Sequence, residues 1–272
     1  GDATGRNAAA PAARAVVTGT ALFTLDLPPD GLLHMKLLRS PHAHARIVSI
    51  DTSAALAVPG VRGVFTHEDA PKRLYSSARH EHMTDNPDDT RVLDDVVRHV
   101  GQRVAAVVAE TVAAAEEGVR ALVVDYELLD AVFDPELAMR PGAPVIHDKP
   151  AEESRIAFPE RNTVAEIHGN LGDVAAGFDE ADVVYEQIFH TPRVQHAALE
   201  THGCVAWVDE HGALTVRTST QVPFLTRAAL CTVFNLPPEH VRVLSVRVGG
   251  GFGGKQEMLV EDVAALAALR LG

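Results

Sequence analysis

The chain has 272 residues, 46% of them apolar and 22% charged, with a formal net charge of −13. That balance is ordinary for a soluble folded protein with enough chain for a sizeable core, and the acidic excess argues against nucleic acid or an anionic membrane as a partner. Cys204 and Cys231 stand far apart with no C-x-x-C, and no apolar run is long enough to span a bilayer, so a reducing, cytoplasmic setting is expected, without a disulfide framework or a cysteine-held cluster.

Residues 1–13 are small, polar and Ala-rich, which suits a flexible leader or an arm that orders against a partner. From residue 14 the texture changes. Residues 15–25 and 32–39 read as extended runs, separated by the turn signal Pro28-Pro29-Asp30-Gly31. A strand over 45–50 follows the polar corner Ser40-Pro41-His42-Ala43-His44, Asp51 or Thr52 caps a short apolar helix that ends at Pro59-Gly60, and 61–66 returns to strand. Residues 72–91 are charged, carry several histidines and lack periodicity, as a long surface loop would. Residues 100–109 form a buried strand, 111–121 a helix with Val112, Ala115 and Val119 on one face, and 122–129 another strand. Strand, helix, strand at this spacing predicts a crossover unit and an α/β first half. Pro135, Pro141, Pro144, Pro150 and Pro159 then punctuate a stretch read as a linker over 135–161.

The second half opens at residue 162. A capped helix is predicted over 173–181, strands over 182–190 and 204–208, and a hairpin turn at Asp209-Glu210-His211-Gly212 that leads into a strand over 214–218. A helix over 224–234 and a strand over 241–248 precede the most unusual stretch of the chain. Gly249, Gly250, Gly251, Gly253 and Gly254 surround Phe252, and Lys255-Gln256-Glu257 leads into an apolar helix over 257–269. So little side-chain bulk lets the backbone approach another molecule closely, and amides at a helix start favour an anion or an oxo group.

Gly249 to Lys255 satisfies G-x-x-x-x-G-K letter for letter, but a nucleotide phosphate loop needs Ser or Thr next, to hold Mg²⁺, and the next residue is Gln256. An NTPase is therefore a minor alternative. His42 with His44, and His80 with His82, lie in predicted loops without a third ligand nearby, as surface histidines do. The denser set is His190, Gln195, His196, Glu200 and His202, whose spacing fits no H-E-x-x-H pattern and is better suited to lining a cleft or to a hydrogen-bonded corner than to holding zinc.

Taken together, Gln195-His196-Ala197-Ala198-Leu199-Glu200, Ser219-Thr220-Gln221 and Val248 through Lys255 resemble the molybdenum-cofactor large subunit of the xanthine dehydrogenase and aldehyde oxidase family. Gly19-Thr20-Ala21, Leu38 through Ala45 and Ile50-Asp51 resemble the a/b hammerhead domain that precedes the cofactor domain there. The resemblance implies an α/β and α+β fold, with a hammerhead domain over 14–134 and the N-terminal part of a molybdopterin-binding domain, of mixed sheet and helices, over 162–272. It implies a molybdenum-pterin cofactor, in plain or cytosine dinucleotide form, and hydroxylation of an aldehyde or N-heterocycle with water as the oxygen source. Electrons would pass to 2Fe-2S and FAD centres on an iron-sulfur and a flavin subunit, with no nucleic acid or membrane partner.

The resemblance also distributes roles. Gln195, Gly250, Gly251, Phe252 and Gly253 would lie at the cofactor, with the Phe252 amide offered to a molybdenum oxo ligand and its ring walling the pocket. Gln256 would face substrate where purine-specific members carry Glu, which favours an aldehyde or a neutral heterocycle, since Gln carries no charge. The catalytic Glu of the family would lie beyond residue 272, in the remainder of the subunit. On that expectation the chain is inactive alone, the apolar face Leu259, Val263 and Leu266 needs covering by a second polypeptide, and the glycine loop is ordered by partner and cofactor. A non-catalytic assembly or scaffold subunit is the other reading.

Overall fold

The computed structural model describes residues 4, 5, 7, 10–77 and 87–272. His80 and His82 lie outside the described residues. The chain runs α1 (Ala13–Val17), β1 (His34–Arg39), β2 (Ala45–Asp51), α2 (Ser53–Leu56), β3 (Val61–Phe65), β4 (Val96–Val97), β5 (Arg103–Ala109), α3 (Val112–Ala121), β6 (Val123–Leu128), α4 (Pro135–Ala138) and α5 (Ala151–Ser154). The second half adds α6 (Val174–Asp179), β7 (Cys204–Val208), β8 (Leu214–Thr218), α7 (Pro223–Phe234), β9 (Val241–Leu244) and α8 (Glu261–Leu271).

The first half contains two antiparallel three-stranded sheets, ordered β1-β5-β3 and β4-β2-β6. β5 is the central strand of the first, and its Val104 through Ala109 are almost wholly buried, as a β-branched and Ala-rich run with neighbours on both edges should be. α3 begins where Thr111 accepts the Ala114 amide at 3.1 Å, an N-cap that satisfies one of the free donors of the first turn. Gly118 faces β5 because a Cβ there would stand 2.7 Å from Val107. The expected crossover is corrected at one point: β5 and β6 flank α3 in sequence but enter different sheets. The extended run expected over 15–25 is also absent, since α1 takes its first residues and the rest is irregular.

The second half is built on the sheet β7-β8-β9. β7 and β8 form the predicted hairpin, with Asp209 accepting the amides of His211 and Ala213 at 2.9 and 3.0 Å. β8 and β9 are parallel and joined by α7, so the crossover geometry appears here instead. α8 lies against β7 and β8, and its Val263 and Leu266 are buried among Leu214, Val216, Leu230 and Val233. The expectation that Leu259, Val263 and Leu266 present an uncovered apolar face is thereby corrected, since of these three only Leu259 remains partly exposed.

The same core continues into Phe65, Tyr75, Val92, Leu93, Ala106 and Val108 of the first half, so the two halves share one apolar interior. Residues 135–161 do more than connect. Lys149 donates to Asp94 at 2.7 Å with both side chains buried, and Arg98 reaches Asp94, Ile146 O and Asp148. The strand predicted over 182–190 does not form. Among the described residues it has no neighbour strand to take its backbone hydrogen bonds, and Val183, Tyr185, Ile188 and Phe189 stand largely exposed.

Candidate functional site

The parallel pair β8 and β9 brings two carboxyl ends to one rim of the sheet. Ser219-Thr220-Gln221 leaves β8 there, and the glycine loop follows β9 a few residues on. The carboxyl rim of parallel strands is where open sheets of this kind bind ligands. Ser245 donates to Thr220 O at 2.9 Å and the Gln221 amide donates to Lys255 O at 2.9 Å, which stitches the two segments together.

Within the loop the chain turns sharply. Gly250 and Gly253 have φ of 99° and 86°, and Phe252 sits at φ 54°, a left-handed conformation rare for a bulky residue, with its ring 73% exposed. The amide of Gly249 donates to Glu200 and that of Gly254 to Gly251 O, but the four between them, on Gly250, Gly251, Phe252 and Gly253, find no acceptor among the described residues. Four consecutive unpaired donors in a turn form a cradle that can serve an oxo group or an anion.

Three glycines of the loop are needed for space. A Cβ on Gly249 would stand 2.5 Å from Glu200 Cβ, one on Gly251 2.4 Å from Gln221 Oε1, and one on Gly254 2.7 Å from the His196 ring. His202 Nε2 also lies 2.7 Å from Gly254 O.

The electrostatic centre behind the cradle is Glu200. Its Oε2 accepts from Ser219 Oγ at 2.6 Å, Gly249 N at 2.7 Å and Lys255 Nζ at 3.2 Å, and its Oε1 accepts from Thr24 N at 3.3 Å. Lys255, 2% exposed, also donates to Glu200 O and to Ser219 Oγ. Burial raises the Glu200 carboxyl, but the bonds from Ser219, Gly249, Lys255 and Thr24 outweigh it and hold the group down at about 2.

This arrangement decides several sequence expectations. Lys255 points inward to a carboxylate and is not available to a phosphate, which removes the physical basis for the NTPase alternative. α8 starts only at Glu261, whose Oε2 accepts the Leu259 and Val260 amides at 3.0 Å each, and the buried carboxylates of Glu261 and Asp262 in its first turn disfavour an anion there. The loop is also anchored within this chain, through Glu200, Gln221 and His202, and does not depend on a partner for its anchors.

The structure gathers Gly250, Gly251, Phe252 and Gly253 into the cradle. Gln195 is exposed, and its Oε1 accepts the adjacent His196 amide at 2.8 Å. Gln256 is exposed just past Lys255, beside Ser76, Val222 and Met258. Of the polar set around His196, His190 is exposed, while His196, Glu200 and His202 line the back of the loop. Sequence reasoning assigned no role to Ser219, Gln221 or Thr24. The available signal was a run of small polar residues leaving a strand, which turn out to be almost wholly buried at Ser219 and Thr220.

Comparison with known proteins extends the geometry. Residues 18–130 match the a/b hammerhead domain of aldehyde oxidase and xanthine dehydrogenase, and residues 157–272 match the molybdopterin cofactor-binding domain. The chain is 38% identical over 264 residues to the probable hypoxanthine oxidase XdhD of Escherichia coli (strain K12), covering 88% of this chain and 28% of that one. It is 33% identical over 250 residues to the nicotinate dehydrogenase large molybdopterin subunit of Eubacterium barkeri, covering 92% of this chain and 55% of that one. The aldehyde oxidoreductase of Desulfovibrio gigas superposes with a TM-score of 0.82 at 28% identity, over 95% of this chain and 28% of that one. The chain thus spans between about a quarter and about half of the length of these relatives.

Proposed function

The chain belongs to the aldehyde oxidase and xanthine dehydrogenase family, and from that premise we propose that its glycine loop holds the oxo end of a molybdenum-pterin cofactor in a hydroxylase of N-heterocycles or aldehydes. The observation that carries this reading is the run of four amides from Gly250 to Gly253 that find no acceptor among the described residues, in a stretch whose one side chain is that of Phe252. Such donors fit a metal oxo group, which accepts hydrogen bonds and carries partial negative charge. When bound, the cofactor supplies a hydroxyl derived from water and accepts the electron pair of the substrate C–H bond.

The residues of this chain then have definable tasks. The backbone of Gly251, Phe252 and Gly253 orients the oxo group, and the exposed Phe252 ring offers a flat apolar wall against which an aromatic substrate stacks. Gln195, toward the cofactor, and Gln256, toward the substrate, would supply neutral amides. The activating carboxylate belongs to the remainder of the subunit, and 2Fe-2S and FAD centres on partner subunits take the electrons, in the cytoplasm. The cytosine dinucleotide form of the pterin is part of the same proposal.

An N-heterocycle is the favoured substrate class. The relatives quoted above include proteins named for hypoxanthine and for nicotinate, both N-heterocycles; the first of these is a purine, and the uncharged Gln256 is the feature of this chain that argues against a purine. Elemental analysis of the assembled protein tests the cofactor: molybdenum with an organic pterin is expected, and an active preparation free of both would overturn the proposal. Rates on xanthine, benzaldehyde and a nicotinate-type heterocycle test the substrate, and xanthine as the best of the three would overturn the role of Gln256.

A further inference from the structure

A single oxygen atom ties together the two ends of the glycine loop. Glu200 Oε2 accepts the amide of Gly249, where the loop begins, at 2.7 Å, and the ammonium of Lys255, where it ends, at 3.2 Å. Ser219 Oγ donates to the same oxygen at 2.6 Å while accepting from Lys255 Nζ at 2.6 Å, which completes a closed ring of hydrogen bonds. The other oxygen of Glu200 holds the N-terminal arm through Thr24 N, and Phe23 of that arm stands 3.3 Å from the position a Cβ on Gly249 would take. Among the described residues no other side chain bonds to both ends of the loop.

We propose that Glu200 is a positioning residue for the cofactor: its carboxylate, paired with Lys255, fixes the span of the loop from Gly249 to Lys255 and so presets the cradle of free amides before any ligand arrives. The inference rests on the proposed function for the identity of the ligand, but the preset loop is a property of this chain. Glycines make such a loop costly to order, because each has more backbone freedom to lose than any other residue. An anchor at both ends on one rigid acceptor removes most of that freedom, which is preorganisation of the kind that strengthens binding without touching the ligand. Gln at position 200 retains one acceptor oxygen but loses the charge, and its NH₂ group replaces the oxygen that accepts from Thr24 N, so the ring is weakened and one partner is left without its acceptor. Lys255 then stands buried beside a neutral amide.

The clamp separates from a merely structural ion pair in a cycle of variants made in the assembled protein. Hydrogen exchange of the two hydrogen-bonded loop amides, Gly249 and Gly254, melting temperature, and molybdenum content per protein are read for wild type, Glu200→Gln, Lys255→Met, the double variant and the milder Ser219→Ala. We expect Glu200→Gln to speed loop exchange at least tenfold and to lower molybdenum content severalfold. The double variant removes the lone buried charge, so its melting temperature returns toward wild type while its loop exchange stays fast. Ser219→Ala shows a smaller loop acceleration in a protein that folds as wild type does. Loop exchange that is unchanged in Glu200→Gln and Ser219→Ala, or that recovers together with melting temperature in the double variant, overturns the proposal. Absence of molybdenum from the wild type counts against the proposed cofactor alone, since loop exchange still reports on the clamp.

Discussion

Arg103 on β5 donates from both terminal nitrogens to the carboxylate of Asp262 in the first turn of α8, at 2.7 and 2.8 Å. Asp262 is fully buried, and Tyr75 completes the group by donating to the same carboxylate at 2.5 Å. Burial, and then the Asp262 charge, push the Tyr75 hydroxyl well above its ordinary range, so it remains a donor. The pair joins the central strand of the first half to the helix that follows the glycine loop.

Breaking this pair leaves one charge buried without its partner. Asp262→Asn or Arg103→Met is expected to cost about 3–5 kcal/mol, whereas the double variant should cost less than either single change plus the other. Urea unfolding of the four proteins measures the coupling. Simple additivity would show that the two side chains act independently, against the geometry.

Stability should fall in two acid windows. Burial, with Arg98 and Lys149 nearby, lowers the His147 ring from 6.5 to about 4, so the folded protein resists its protonation and stability is lost as pH falls from about 6.5 toward about 4. Glu200, held at about 2 against 4.5 in an unfolded chain, contributes stability that is complete above about 4.5 and lost as pH falls toward about 2. Denaturant titrations across pH 2–8 on wild type, His147→Asn and Glu200→Gln should flatten the upper window in the first variant and the lower window in the second. A wild-type profile that is level over both windows would sink this assignment.

Two alanine substitutions should act on different properties. Gly251→Ala drives a methyl to within 2.4 Å of Gln221 and should abolish cofactor loading while costing little elsewhere, because the loop yields before the core does. Gly118→Ala drives one to within 2.7 Å of Val107 between α3 and β5, and should destabilise the fold by about 1–3 kcal/mol with cofactor content preserved in the folded fraction. Metal content and melting temperature measured on both proteins decide it. The same pattern in both variants would remove the distinction.

Residues 182–190 should exchange their amides at close to the intrinsic rate in this chain, since they stand exposed without a strand partner. The amides of β5, buried and paired on both edges, should be protected by about 10³-fold or more. Peptide-level exchange over minutes to hours tests this. Protection of 182–190 equal to that of β8 would mean that the segment has found a strand to pair with.

Much of the architecture was legible in the sequence because its signals are local. Periodicity and capping chemistry located β1, β2, β3, β5, α3, β6, the β7–β8 hairpin and α7 to within a few residues, since burial on one face and a Thr or Asp at a helix start are written in neighbouring positions. The glycine run announced a loop of close approach. What local pattern could not decide was pairing. Alternating Asp182 to His190 reads as a strand, but a strand exists only where another supplies its hydrogen bonds. Likewise β5 and β6, adjacent in sequence, separate into two sheets, and the crossover falls between β8 and β9 instead. The site shows the same division. The glycines from 249 to 254 were visible as a loop of close approach, whereas the carboxylate that anchors it, Glu200, lies 49 residues before Gly249 and the Lys255 that it holds could equally have faced a phosphate. Only tertiary packing, by burying Lys255 against Glu200 and Ser219, assigned that charge an inward, structural partner, because burial of a charge is permitted where an opposite charge and donors meet it and such meetings are not encoded at any fixed spacing.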